Sequence, residues 1–201
     1  YTASENRLAL QELLPEAIIS CYDSYDDSQL SHLLDWADVV CIGCGLGMGQ
    51  ISEKILKNVL KNVSCPCVID ADGLNLLNGK IELLNQCRAP VILTPHMKEM
   101  SRLTGWSIDT IMEDRFQALD QIIKQSGPDT KSSIICVLKD SRTVVAQTNR
   151  QKFVNLAGNN SMAKGGSGDV LAGTIAGLLA QHMAPFEAAA VGVFLHACGG
   201  D

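Results

Sequence analysis

Three observations in the 201-residue sequence predict an α/β fold, a mostly parallel central sheet sandwiched by helices with a short antiparallel meander. Short apolar runs alternate with stretches of helical periodicity. Those runs are apolar on both faces, as strands covered by helices on each side must be. Glycine or polar motifs directly follow successive runs, where open α/β sheets hold their ligands.

The elements follow in order. Ser4 to Ile19 reads as a helix with Leu8, Leu10, Leu13 and Leu14 on its apolar face, and Pro15 as the residue that ends or kinks it. Ser28 to Trp36 is a short helix, Val39 to Ile42 an apolar strand, and Gln50 to Val63 an amphipathic helix through Ile51, Ile55, Leu56, Val59 and Leu60. A strand over Val68 to Asp70 leads into a short helix from Gly73 to Leu77. Val91 to Leu93 is a strand, Lys98 to Leu103 a helix, Ile108 to Gln125 a longer helix, and Ile134 to Leu138 a strand. Past a turn at Asp140 to Arg142, strands over Thr143 to Ala146 and Lys152 to Asn155 form the meander. Helices over Gly168 to Gln181 and Pro185 to Cys198 close the chain.

Length suits a single domain with a substantial core, and no repeat or linker interrupts it. With 46% hydrophobic and 19% charged residues, the composition is that of a packed protein rather than a disordered one. A net charge of −6 argues against a nucleic-acid partner. No apolar run is long enough to span a bilayer, so no membrane partner is expected. Among eight cysteines, the Cys41/Cys44 and Cys65/Cys67 pairs invite comparison with zinc ligands. Yet Cys41 and Cys136 lie in strand-like runs and Cys198 in an apolar helix, so the thiols read as inert, reduced small hydrophobes in a cytoplasmic protein, with no metal site.

The most informative segment is Gly158 to Leu171, in which Gly165, Gly166 and Gly168 lead into Asp169. Leu171, Ile175, Leu178 and Leu179 then recur at helical spacing, so the glycines form a loop that opens a helix. Such a loop lets backbone N–H groups approach an anion, and the helix start adds partial positive charge. An aspartate beside a bound phosphate fits a base awaiting a hydroxyl proton, which points to phosphoryl transfer. The plainer alternative is an acidic residue favoured in a first helical turn.

Other motifs crowd the same rim. Gly43-Cys44-Gly45-Leu46-Gly47, Asp70 to Asn75, Thr94-Pro95-His96 and Lys139-Asp140 each follow a strand. Taken singly, Asp72 reads as a helix cap, His96 as a capping or core histidine, and Lys139 as a turn residue. His196, set among apolar residues, reads as structural, and His32 and His182 have no such placement.

In these motifs the chain resembles the ADP/ATP-dependent NAD(P)H-hydrate dehydratases, repair enzymes of the ribokinase-like superfamily that act on hydrated NADH and NADPH. The likeness covers nearly the whole chain. It rests on IGCGLG at 42–47, VIDADGLNLL at 68–77, ILTPHMKEMSRLTG at 92–105, VLKDSRTVVA at 137–146 and GNNSMAKGGSGDVLAGTIAGLLAQ at 158–181. It implies a ribokinase-like fold and a carbon–oxygen lyase, in which ADP or ATP phosphorylates the hydrate hydroxyl and loss of phosphate restores the nicotinamide. On that basis Asp169 is the base, and Gly165, Gly166, Ser167 and Gly168 form the anion hole. Gly45, Gly47, His96 and Asp169 contact the substrate. Lys139, Asp140, Ser141, Arg142 and Thr143, with Gly168, contact the nucleotide donor.

The resemblance further implies Mg²⁺ as a cofactor, a homo-oligomer, and fusion to or cooperation with an NAD(P)H-hydrate epimerase. This chain departs from the family pattern where Cys44 and Met97 replace prolines, leaving loop rigidity open. Asp140 replaces a glycine, which sets a carboxylate near the donor phosphates. Opening on a helix and stopping at Asp201, residues 1–201 are expected to be one domain truncated at both ends, prone to self-association and weakly active alone. Two alternatives stay open: a small-molecule kinase of the same superfamily, of the hydroxyethylthiazole or sugar kinase type, and a non-catalytic adenylate-binding module.

Overall fold

The structure, a computed structural model, describes residues 1–125, 133–147, 151–159, 162 and 164–200. Strands β1 (Thr2–Ala3) and β2 (Cys21–Tyr22) pair in parallel as a small sheet of their own. The main sheet has six strands in the order of the chain: β3 (Val40–Ile42), β4 (Cys67–Ile69), β5 (Val91–Leu93), β6 (Ile134–Leu138), β7 (Val144–Gln147) and β8 (Lys152–Val154). The β3–β4, β4–β5 and β5–β6 pairs are parallel; β6–β7 and β7–β8 are antiparallel, as the predicted meander requires.

Strand order and helix placement have one cause. Parallel strands added in sequence by crossovers of one hand put every connecting helix on the same face. That face carries α3 (Gln50–Asn62), α4 (Asp72–Leu76), α5 (Met97–Thr104), α6 (Ile108–Glu113) and α7 (Arg115–Gln125), with α2 (Asp27–Trp36) packed outside α3. The opposite face is covered by the last two helices, α8 (Ser167–Ala180) and α9 (Pro185–Cys198). The two-residue period of a strand divides the core between them. Cys67, Ile69, Val91, Leu93, Ile134 and Cys136 face the first layer. Val68, Ile92, Ile135 and Val137 face α8 and α9.

Three elements differ from the sequence reading. The helix expected over Ser4 to Ile19 is a 3₁₀ turn (Ser4–Asn6) and α1 (Arg7–Leu13). Leu14, which precedes Pro15, leaves helical geometry at φ −137° and ψ 69°, as pre-proline residues do. Its apolar face is not a core face: α1 buries no residue, and Leu8 and Leu13 are exposed. Nor does the chain open on a helix, because Thr2 enters the small sheet first. The long helix over Ile108 to Gln125 is broken at Asp114, whose carboxylate accepts the Gln117 N–H at 2.9 Å and starts α7 afresh. A 3₁₀ segment at Ile81–Gln86 has no counterpart in the sequence reading.

Candidate active site

The motifs after β3 and β4 are locked into one another. Gly43 adopts φ +121°, and a Cβ there would lie 1.8 Å from the Asp70 carbonyl oxygen. The Gly43 carbonyl accepts the N–H groups of Leu46 and Asp72, and the Gly47 N–H donates to Asp72 Oδ2 at 2.8 Å. Asp72 thus holds the glycine loop, and the N-cap position of α4 falls to Ala71 instead.

Asp70 is 1% exposed and pairs with Lys139 from the end of β6, Oδ1 to Nζ at 2.7 Å. The same oxygen accepts the Ala71 N–H. Removing one partner of a buried ion pair leaves an uncompensated charge, at a cost of about 3–5 kcal/mol. Lys139→Met is expected to lose somewhat less than that in a urea titration, because the lysine side chain is 18% exposed. The double variant Lys139→Met/Asp70→Asn should recover most of the loss. A single variant as stable as the parent would show that the pair carries no strain of desolvation.

Gly168 sits directly over this pair. A Cβ on it would lie 3.2 Å from Lys139 Nζ and 3.6 Å from Asp70 Oδ2, so a glycine lets the start of α8 approach. Gly166 caps α8 with φ +83°, and the Ser167 N–H closes a turn onto the Lys164 carbonyl. The amides of Gly168 and Asp169 lie in the first turn, where no carbonyl four residues back is available within the helix. The sequence-derived anion loop is therefore a loop and a helix start in fact. Of its run, Asn160, Ser161 and Ala163 lie outside the described residues.

Asp169 is exposed at the rim. Its carboxylate, that of Asp70 and the Cys44 thiol all lie within 4.8 Å of one another. Cys41 and Cys198 are exposed, not buried as their apolar neighbours suggested, and Cys44 is exposed too. The contact with Cys41, burial and the Asp169 carboxylate push the Cys44 thiol up from its ordinary value. The same contact pulls the Cys41 thiol down.

Beside the α8 start lies a cavity of about 580 Å³, within the range of small-molecule sites. His96, Lys139, Asp140, Ser141, Thr143, Ser167 and Gly168 line it; Gly45, Gly47, Arg142, Gly165, Gly166 and Asp169 do not. His96 is the N-cap of α5: its Nδ1 accepts the N–H groups of Lys98 and Glu99, and its own N–H donates to Glu99 Oε2. In the neutral ring the proton therefore sits on Nε2. The capping reading and the rim reading of His96 both hold. The Asp140 carboxylate is engaged by Arg115 at 2.6 Å, so the extra carboxylate of this chain carries its own counter-charge.

One site residue escaped the sequence reading in part. His196 also lines the cavity, and its Nε2 lies 2.9 Å from the Ser167 carbonyl and 3.2 Å from Ser167 Oγ. It braces the first residue of α8. The signal was present: Ala189, Gly192, Val193, His196 and Ala197 form one helical stripe, so His196 belongs to the face of α9 turned to α8 and the site.

A mostly parallel sheet with helices on both faces, a glycine-rich helix start over its carboxyl edge and a carboxylate in that helix's first turn define a ribokinase-like α/β protein. Comparison with known proteins narrows the class. The family model for NAD(P)H-hydrate dehydratase matches residues 1–201, and the chain belongs to that family. It is 40% identical over 164 residues (82% of this chain, 30% of the relative) to a bifunctional NAD(P)H-hydrate repair enzyme Nnr from Moorella thermoacetica. It is 36% identical over 196 residues (95% and 64%) to an ADP-dependent (S)-NAD(P)H-hydrate dehydratase from Neisseria meningitidis. A solved ADP/ATP-dependent NAD(P)H-hydrate dehydratase from Bacillus subtilis, co-crystallized with ATP/Mg²⁺ and soaked with CoA, superposes with a TM-score of 0.74 at 27% identity, covering 98% of this chain and 68% of that one. The chain spans about a third of the length of the bifunctional relative and just under two thirds of the Neisseria one.

Proposed function

We propose that this chain carries the nucleotide-dependent dehydration of hydrated NADH and NADPH. ADP or ATP phosphorylates the hydrate hydroxyl, and elimination of phosphate then restores the nicotinamide double bond. The observation that carries the reading is Asp169 in the first turn of α8, beside the Gly165–Gly168 loop and the Lys139–Asp70 pair. Family membership and the ATP/Mg²⁺ complex of the Bacillus relative support it.

Phosphoryl transfer asks mainly for positioning and charge stabilisation, and each group has a part in that. Asp169 takes the proton of the attacking hydroxyl. The amides at the start of α8 hold the transferring phosphoryl group, and Lys139 adds positive charge beneath Gly168. Gly45, Gly47 and His96 bind the hydrated dinucleotide; Lys139 through Thr143, with Gly168, bind the donor. Of the three groups that meet at the rim, the Asp70 and Asp169 carboxylates suit Mg²⁺, and the Cys44 thiol does not. These two carboxylates would hold Mg²⁺, which would supply positive charge beside the donor phosphates. The reading extends to a cytoplasmic homo-oligomer that works with an epimerase, by fusion or in series.

The test is recovery of NADH absorbance when the complete protein is given hydrated NADH with ADP or ATP. Recovery should depend on the nucleotide and be matched by released orthophosphate. A stable phosphorylated product in place of NADH would instead establish a kinase, and recovery without nucleotide would refute both.

A further inference from the structure

Asp140 sets a carboxylate in the wall of a cavity that receives a polyanionic donor, where a negative charge is out of place. We propose that Asp140 is a specificity residue: its carboxylate accepts the ribose hydroxyls of the nucleotide, so that the site selects a ribonucleotide over its deoxy counterpart. The inference rests on the assignment of this cavity to the donor.

The geometry separates this carboxylate from the phosphates. Arg115, from the start of α7, holds Asp140 Oδ2 at 2.6 Å and is not part of the cavity lining. The charge of the carboxylate is thus matched from outside the site, and donor phosphates meet a pair close to neutral. The Asp140 side chain remains 24% exposed, so a ligand can reach it. Among the described residues its Oδ1 has no hydrogen-bond partner, which leaves a free acceptor at the wall. The Thr143 hydroxyl donates to the Asp140 carbonyl at 3.1 Å and ties the turn that presents it. Lys139, one residue earlier, pairs instead with Asp70 beneath Gly168, so the two neighbours serve different parts of the donor.

Hydrogen-bond chemistry decides which part Asp140 takes. An ionised carboxylate only accepts hydrogen bonds, and so do ionised phosphate oxygens, so Asp140 has nothing to offer the phosphates. The ribose presents two adjacent O–H donors, and a carboxylate on a ribose hydroxyl is how dinucleotide-binding sheets read that sugar. Leu171, Val193 and Ala197 give the cavity an apolar part, on α8 and α9, that suits the flat base. With the phosphates at the amides of α8, the sugar, covalently next to them, falls to the loop that follows Lys139.

Calorimetric titration of the complete protein with ADP, 2′-deoxy-ADP, 3′-deoxy-ADP and pyrophosphate, without hydrated substrate, tests the assignment. The parent should bind at least one deoxy analogue roughly tenfold more weakly than ADP, the loss expected for a hydrogen bond to a charged group. Asp140→Ala should bind ADP more weakly by a similar factor and no longer distinguish it from that analogue. Pyrophosphate should bind Asp140→Ala no more weakly than the parent, because its contacts lie elsewhere. Asp140→Asn, which keeps the shape of the side chain, should narrow the same difference if the alanine variant does not fold. Equal affinity of the parent for all three nucleotides, a difference that persists in both variants, or a loss of pyrophosphate binding in them would overturn the inference. So would discrimination against inosine diphosphate that disappears with Asp140, which would place the base there. Absence of ADP binding to the parent would refute the donor site itself, a result distinct from ADP binding without discrimination.

Discussion

Asp169→Asn is expected to lower turnover of hydrated NADH by roughly 10²–10⁴, the range lost when a positioned base is removed. The replacement keeps the shape of the side chain and its place in the first turn of α8. It removes the negative charge of the carboxylate and with it the capacity to accept a proton from the hydroxyl. The lining of the cavity does not include Asp169, so nucleotide affinity should change little. A fluorescent ADP analogue measures that affinity independently of turnover. Near-normal turnover would reduce Asp169 to an acidic residue at a helix N-terminus. Loss of turnover together with loss of nucleotide binding would point to a collapsed loop instead.

The second large effect is structural. Gly43→Ala combines a positive φ with a Cβ 1.8 Å from a backbone carbonyl oxygen, which belongs to the adjacent strand end and cannot rotate away. Strained φ and overpacking each cost about 1–3 kcal/mol, so a combined loss of roughly 4 kcal/mol is expected. At about 2–4 °C per kcal/mol for a chain of this size, Tm should fall by around 8–16 °C. Gly45→Ala provides the contrast, because its φ is also positive at +69° but no atom lies within 4 Å of the added Cβ. It should lose only the smaller, conformational part. Equal shifts in the two variants would show that the close approach of β3 and β4 does not matter.

How far the residues announced this arrangement differs from element to element. Val91–Leu93, Ile134–Leu138 and Pro185–Cys198 fall where their apolar pattern ends, because Pro, Gly or polar residues bound them on both sides. The helix start at 167 was legible from its glycines. The first twenty residues were not, since their leucines have helical spacing but nothing to pack on. Periodicity records which residues share a face and is silent about whether that face is covered. Likewise, the motifs at strand ends predicted a common rim, but not the pairings across it. That Asp72 holds Gly47 and that Asp140 is matched by Arg115 depends on loop paths and side-chain reach. Neither of these leaves a pattern in spacing alone.

The sequential strand order also bears on how the protein is made. A chain emerging from the ribosome can pair β3 to β4, β5 and β6 in the order in which they appear, each crossover helix covering the same face as it arrives. Helices α8 and α9 follow the whole sheet in the chain, and before they dock, Val68, Ile92, Ile135 and Val137 lack the cover that these helices give them. The docking that buries this face also brings Gly168 over Lys139 and Asp169 to the rim. Covering that face and assembling the rim are therefore one and the same docking step.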